Sequence, residues 1–435
     1  MLLSFDVENY RSFKERQSFS LVANKYYNDY RGALIVDQLP GLKGYEYLPA
    51  AALFGPNASG KSNLFRAINQ LKTLVMESAV LAPGTPLVYT PYQLDSSTRV
   101  EPTRFSITFT SDGIRYEYEI AYIASEVLFE ELLSYPKGRK QVLFTRQTDS
   151  LSKSGIDVYT NPSLRMSRLA IDALRPNVLF LSLGAQLNNK VLLDLYAWFR
   201  DQLQVITAYS PDVNMLMDYS TSVLMGSYGE HKQSQIIDIL GKADFGISKA
   251  RVDTEQMPKE LLSFIKATMN NELAQNILPE ALSRNVVYLQ HGSDEDAFEL
   301  SIDDDSSGTR QFFSLLGPLI DVLDKGMVLI IDEFDTSLHP ALSEVIVRLF
   351  QSRVTNPNGA QLVTATHNIH LLNNSTFRRD QVWFVEKDAG GASHLYSLDE
   401  YHPRKDESIL TGYLKGRYGA LPLFSDNFLV EAVSD

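Results

Sequence analysis

Cysteine is absent from all 435 residues, and tryptophan occurs only twice. A chain without thiols has no disulfide framework and no thiolate metal centre, and the lack fits a reducing compartment. Histidine is sparse: His231, His291, His339, His367, His370, His394 and His402 are all there are, and none stands in the HExxH spacing of a zinc hydrolase. No apolar run approaches the ~20 residues of a membrane span. The start, MLLSFDVENYRSF, alternates and carries charge by its sixth residue, unlike a secretory signal. The expected location is the cytoplasm, with no membrane partner. Positive charge is in deficit, 40 Lys and Arg against 53 Asp and Glu for a net charge of −13, so the surface as a whole is no mould for nucleic acid. Local basic clusters do occur at Lys137, Arg139 and Lys140, at Arg378 and Arg379, at Arg404 and Lys405, and at Lys415 and Arg417. A solvated charged face is the plain reading of each; two of them lining one groove would admit DNA or a protein mimic of DNA as a trigger. There is no internal repeat and no heptad array.

What is present is a core. Hydrophobic residues make up 44% and charged residues 21%, enough for a fully buried interior. The length suggests about three units, or two with one enlarged. LLSFDVENY and QSFSLVA alternate with period two and read as strands around a turn at Arg11 and Ser12. LPAAALFG reads as a short buried strand, and an amphipathic helix is expected from about Gly60 to Ser78. RFSITF and IRYEYEI flank Asp112-Gly113, a hairpin signal that opens a β-rich insertion at about residues 86–175. VLFLSL (178–183) has the length and composition of a strand. Residues 187–285 read as mostly helical, VVYLQHG and AFELSI as strands, and Arg310–Leu323 as a helix. VLIID (328–332), QLVTAT (361–366) and QVWFVEK (381–387) read as further strands, and Pro340–Gln351 as a helix with proline at its first position. Strands alternating with helices at both ends imply an α/β fold with a mostly parallel sheet. The expected division is one lobe from 1–186 and 301–435, and an inserted helical lobe at 187–300.

The strongest local signal is Gly55-Pro56-Asn57-Ala58-Ser59-Gly60-Lys61-Ser62, followed by Asn63. It matches GxxxxGK[ST] in full, with an apolar strand before it and an amphipathic helix after it. Polyphosphate needs several converging donors. Glycines let backbone N–H groups turn inward, and a helix start adds its positive end. Lys61 would reach the terminal phosphates of ATP and Ser62 would hold Mg²⁺. VLIIDEFD places Asp332 and Glu333 at a strand end, where the first can take Mg²⁺ and the second can polarise an attacking water. Asp335 falls where a paired subunit could be sensed. Ser307-Gly308-Thr309 opens a helix and so offers a second phosphate site. His367 closes a strand, where an imidazole could bond a γ-phosphate or the attacking water. Gln186 stands at the junction with the expected helical lobe, where it could sense Mg²⁺. The plain alternatives are a solvated turn, an N-cap, a structural histidine and a surface glutamine.

In order, these parts run phosphate loop, Gln186, helical insert, Ser307-Gly308, Asp332-Glu333, Asp335, His367, and that order resembles the ABC-type ATPases. The resemblance implies an ABC-ATPase head, a P-loop NTPase fold with an antiparallel β subdomain. It also implies two ATP molecules sandwiched between two copies of the chain, the Ser307-Gly308 helix of one closing over the loop of the other. The SSGTR stretch departs from the family's LSGGQ at Thr309. The FDVENYRSF start looks like the SMC/Rad50 and OLD-type heads, and there Arg11 matches a position that touches the nucleotide. DEFDTSLHP and YLKGRYGALP look like the AAA15 ATPases of bacterial anti-phage defence, among them the RloA/AbiLi abortive-infection type and the ATPase of the PARIS system. Such ATPases act beside a separate Toprim-type nuclease effector, so the resemblance implies a homodimer or higher homo-oligomer that controls such a partner.

Four rivals stand against this. A transporter ATPase lacks so large a β-rich insertion. A long-armed SMC or Rad50 protein needs hundreds of heptad residues, and a short-armed head for DNA repair or end processing remains the alternative. A self-contained nuclease needs a Toprim module, and Glu386-Lys387 lacks the residue that an ExK motif interposes. Last is a scaffold gated by ATP binding alone. Glu333→Gln separates it from a hydrolytic machine, because only the machine would be trapped by that change.

Overall fold

In the computed structural model the chain is described except at residues 28–33, 37–44, 149–154, 208–212, 244–245, 257–282, 293–296, 405–406 and 422–435. It forms two compact units. One comprises Met1–Ala208, Leu323–Asp335 and Ser343–Asp435, the other Tyr209–Val322 and Thr336–Leu342.

The first unit holds two large sheets. A six-stranded sheet runs in the order Leu203–Ile206, Val328–Asp332, Gln361–Ala365, Ala50–Phe54, Val382–Lys387, Ser393–Ser397. Its first five strands are parallel and the last returns antiparallel. The central strands Val328–Asp332, Gln361–Ala365 and Ala50–Phe54 are buried along almost their whole length and largely apolar, as strands covered on both faces are. The second sheet has seven antiparallel strands, Ile156–Thr160, Gln141–Thr148, Val127–Ser134, Ile114–Tyr122, Thr103–Ser111, Leu2–Glu8 and Gln17–Ser20. The Asp112-Gly113 hairpin forms as expected, both residues at positive φ. The β-rich stretch is therefore not a separate appendage: Thr103–Ser111 pairs with the first strand of the chain.

Helix Lys61–Glu77 buries Leu64, Phe65, Ile68, Leu71, Leu74 and Val75 in a core shared with both sheets, among them Phe5, Phe105, Ile330 and Val363. Gln361 ties the sheets together. Its wholly buried amide accepts from the Leu2 N–H at 2.7 Å and donates to the Leu2 carbonyl at 3.0 Å.

Two expectations are corrected here and one is qualified. VLFLSL is not a strand: helix Phe180–Gln186 begins within it. A largely apolar run of six residues fits either structure, and the decision comes from the Glu130 carboxylate, which accepts from the N–H groups of Phe180 and Leu181 at 2.6 and 3.0 Å. The 187–285 stretch is mostly helical in its described residues, as expected, but it also holds the strands Leu203–Ile206 and Ile247–Gln256, and 257–282 lies outside the described residues. The division into lobes also moves. Residues 190–206 stay with the first unit, since Leu203–Ile206 joins the parallel sheet beside Val328–Asp332. Residues 307–322 belong to the second unit rather than to the 301–435 piece.

The second unit contains helices Val213–Leu224 and Glu230–Lys242 and an antiparallel sheet of Ile247–Gln256, Ser283–His291 and Phe298–Ser301. It also holds the first turns of helix Ser307–Lys325, which carries Pro318 in its interior. Proline cannot donate to the carbonyl of Ser314. The Ser220 hydroxyl does so instead, at 2.9 Å, while accepting from the Gly317 N–H at 2.9 Å. Among the described residues, no helix is long and apolar enough to cross a membrane.

Candidate functional site

The buried strand Ala50–Phe54 ends at Gly55, and the chain turns through Pro56, Asn57, Ala58 and Ser59 into helix Lys61–Glu77. Both glycines of the turn are required. A Cβ on Gly55 would stand 2.2 Å from the Val385 carbonyl oxygen, and one on Gly60, where φ is 118°, 2.3 Å from the Ser393 hydroxyl. A helix start leaves backbone N–H groups unpaired and presents a positive dipole end, so this turn is an anion cradle. Lys61 is 5% exposed and folds back over it, donating to the carbonyls of Gly55 at 2.9 Å and Pro56 at 3.1 Å.

The sheet order sets the rest of the site. One strand, Gln361–Ala365, lies between the loop strand and Val328–Asp332. Asp332 pairs with Ala365 and Ala365 with Leu53, so three strand ends stand side by side. They deliver the phosphate loop, His367, and Asp332 with Glu333. Glu333 holds a positive φ of 49°, a conformation uncommon for a residue with a side chain, and its N–H donates to the Ala365 carbonyl at 3.1 Å. Asp335 accepts from the Thr366 hydroxyl at 2.7 Å, a bond within the chain at the position expected to sense a partner.

The electrostatics are those of a closely spaced mixed cluster. Burial pulls the Lys61 ammonium below its ordinary value, and the carboxylates of Asp332, Glu333 and Asp335 pull it back. Burial pushes Asp332 up, opposed by a hydrogen bond from Ser62 and by Arg66 and Lys61. Burial and the neighbouring Lys61 charge hold the His367 imidazole below its usual value, which keeps it neutral at neutral pH. A cavity of about 500 Å³ opens beside the first half of the loop, lined by Gly55, Pro56, Asn57, Thr366 and His367 with Tyr413, and of the mixed cluster only His367 reaches it.

Mg²⁺ fits the residues present. The Oδ1 atom of Asp332 is buried without a hydrogen-bond partner among the described residues, an arrangement a cation relieves. Ser62 and Asp332, close enough for the hydroxyl to hold the carboxyl's pKa down, are the side chains that would hold it.

Not every expected residue comes to this place. Gln186 ends a helix that touches the far end of Lys61–Glu77, where the Ser182 hydroxyl donates to the Val75 carbonyl at 2.6 Å. Residues 61 to 75 of a helix span about 20 Å, so Gln186, exposed and a turn beyond Ser182, is remote from the loop. The chain leaves the sheet beside Asp332 at Thr207 instead, since Ile206 pairs with Ile331. Arg11 is exposed at a positive φ of 51° and packs on the Tyr10 ring. The adjacent Ser12 is the one that reaches the loop, accepting from the Asn63 amide at 2.8 Å. Ser307 and Gly308 begin their helix in the second unit, with Ser306 as its cap: the Ser306 hydroxyl accepts from the Thr309 N–H at 3.0 Å. Of the basic clusters, Arg378 is buried and paired with Asp380 at 2.8 Å, so it is no surface charge, and Lys405 lies outside the described residues. Glu386 accepts from the Ala420 N–H at 2.8 Å.

A family model described as "AAA domain, putative AbiEii toxin, Type IV TA system" matches residues 50–373, most of the chain and every strand end of the site. The chain belongs to this AAA-domain family. It is an ATPase of the AAA type, built on a P-loop α/β fold. Among solved structures it is similar to an SMC head bound to the C-winged helix domain of ScpA, at 10% identity and a TM-score of 0.41 over 91% of this chain and 97% of that one. It is similar also to the SMC head domain from Thermotoga maritima, at 12% identity and 0.39 over 91% and 98%. No curated protein matches its sequence.

Proposed function

We propose that the protein binds ATP with Mg²⁺ on the Gly55–Ser62 loop and hydrolyses it to ADP and phosphate, water supplying the oxygen that the released phosphate gains. The observation that carries this is the alignment of three strand ends, which sets Lys61 and Ser62, Asp332 and Glu333, and His367 around one anion cradle. Backbone N–H groups of the loop and the Lys61 ammonium, released from its own carbonyls, bind the phosphates. Bound Mg²⁺ supplies charge neutralisation on the phosphate oxygens. Glu333, exposed at the strand end, acts as general base and takes the proton of the attacking water. Neutral His367 orients that water or donates to the transferred phosphoryl group.

The ATP-bound form is proposed to be a homodimer in which Ser307 and Gly308 of one copy close over the nucleotide of the other. A helix start with its first turn capped by Ser306 presents the remaining N–H groups to an anion, which supports this role. The cycle would drive a defence output through a separate nuclease effector; the family's description, with its toxin and toxin–antitoxin terms, and the sequence resemblances both support that direction. The test is steady-state phosphate release together with light scattering of the purified protein. ATP-dependent dimerisation and turnover, both lost in Lys61→Ala, are expected. Turnover that survives Lys61→Ala would remove the loop from the mechanism.

A further inference from the structure

The second half of the phosphate loop is gripped from outside by a residue no motif contains. The Ser393 hydroxyl donates to the Ser59 carbonyl at 2.5 Å, and its oxygen lies where a Cβ of Gly60 would be. Ser393 is 1% exposed, and its N–H donates to the Ser12 carbonyl at 2.7 Å. Ser12 in turn accepts from Asn63 in the first turn of the helix. Three segments distant in sequence thus converge on one peptide unit, Ser59–Gly60, at the point where the loop becomes helix.

Ser393 is itself placed by a tight turn. Asp388 accepts from the Ala392 N–H at 2.9 Å through its side chain and from the Gly391 N–H at 3.0 Å through its carbonyl. That turn is pinned to another part of the unit, where the Tyr92 hydroxyl donates to the Gly390 carbonyl at 2.7 Å. Tyr92 is fixed by Asn9, whose buried amide accepts from the Tyr92 N–H at 3.0 Å and donates to the carbonyls of Thr98 and Glu101 at 2.8 and 2.7 Å. A continuous run of bonds therefore leads from the 92–101 loop, which feeds the antiparallel sheet, to the anion cradle.

We infer that Ser393 is a positioning residue for nucleotide binding, setting the Ser59–Gly60 peptide so that the loop N–H groups converge on phosphate, and that Tyr92 sets Ser393. The inference rests on nucleotide binding at this loop and on neither hydrolysis nor dimerisation. Cradle geometry serves ADP and ATP alike, so the loss should be uniform and appear in KM more than in kcat. A purely structural role would lower the melting temperature and leave the nucleotide affinity of the folded protein unchanged.

The experiment is titration of the full chain with a fluorescent ADP derivative, alongside melting of the nucleotide-free protein. At a temperature where the nucleotide-free variants remain folded, Ser393→Ala should weaken binding about 3- to 10-fold and Tyr92→Phe about 2-fold. Tyr135→Phe, which removes a hydroxyl bonded to Glu117 on the same sheet, should bind as wild type does. Wild-type affinity in Ser393→Ala while Lys61→Ala still abolishes binding would overturn the inference. Equal weakening in Tyr135→Phe would overturn the route through Tyr92. Absence of binding by the wild type would sink the nucleotide reading, and this one with it.

Discussion

Ser62 and Asp332 stand 270 positions apart in sequence and meet at the mouth of the phosphate loop, where the hydroxyl opposes the rise in the carboxyl's pKa, yet one oxygen of the aspartate is left buried and unpartnered among the described residues. Such a pair is incomplete by design. Burial raises the Asp332 pKa, so the folded state disfavours its charge. The resulting loss of stability is absent below the ordinary carboxylate range, where Asp332 is protonated folded and unfolded, and grows as pH rises through that range. Asp332→Asn should therefore stabilise the nucleotide-free protein at neutral pH by about 1 kcal/mol. The gain should vanish in acid, and Mg²⁺-dependent nucleotide binding should be lost. Thermal melts at pH 7 and in acid, with and without nucleotide, read all of this; a lower melting temperature at neutral pH would contradict it.

Glu333→Gln keeps the shape of the site and removes the base. Turnover should fall by about 100-fold or more, while nucleotide affinity stays within a few-fold and the ATP-bound dimer becomes long-lived in size-exclusion chromatography. Unchanged turnover would transfer the base role elsewhere and favour the scaffold gated by binding alone.

Glu130 and Arg146 face each other on adjacent strands with no exposure at all. Glu130 also accepts from Tyr118 and from the start of helix Phe180–Gln186, while Arg146 donates to the carbonyls of Val127 and Pro176. Arg146→Met leaves a carboxylate buried without its counter-ion and should cost about 3–5 kcal/mol. Adding Glu130→Gln should recover part of that loss. Urea unfolding of both single variants and the double variant measures the coupling; strict additivity would refute it.

Ser220→Ala would orphan the Ser314 carbonyl and the Gly317 N–H beside Pro318. A cost of about 1–3 kcal/mol is expected, and Ser220→Thr, which keeps the hydroxyl, should lose less. Circular-dichroism melts suffice, and a silent Ser220→Ala would mean that the helix repairs its own proline.

The parts legible in the sequence are those whose cause is local. Asp112-Gly113 makes its own turn. The loop from Gly55 to Ser62 carries its glycines at the two positions where Val385 and Ser393 exclude a side chain. The strands 328–332 and 361–365 declare themselves by short, largely apolar runs of strand length. What stayed hidden depends on distant partners. Phe180–Gln186 is a helix because Glu130, fifty residues earlier, receives its first N–H groups. Leu203 continues what reads as a helical pattern, yet Val328 takes it into the sheet. Ser393 has no signature, since its function lies in meeting Ser59 across 334 positions. Gln186 looked placed because it stood in the right order along the chain, and order alone does not fix distance.

The shared edge between the first strand and Thr103–Ser111 also dictates an order of assembly. Every strand of the antiparallel sheet comes from residues 2–160, so that sheet can close early in synthesis. The strand Ala50–Phe54 must wait for neighbours more than 300 residues later, Gln361–Ala365 and Val382–Lys387. Contacts of such long range form late and slowly. The nucleotide cradle is thus finished only when nearly the whole chain has been made, and a nascent or truncated copy lacking those strands has no means of engaging the cell's ATP.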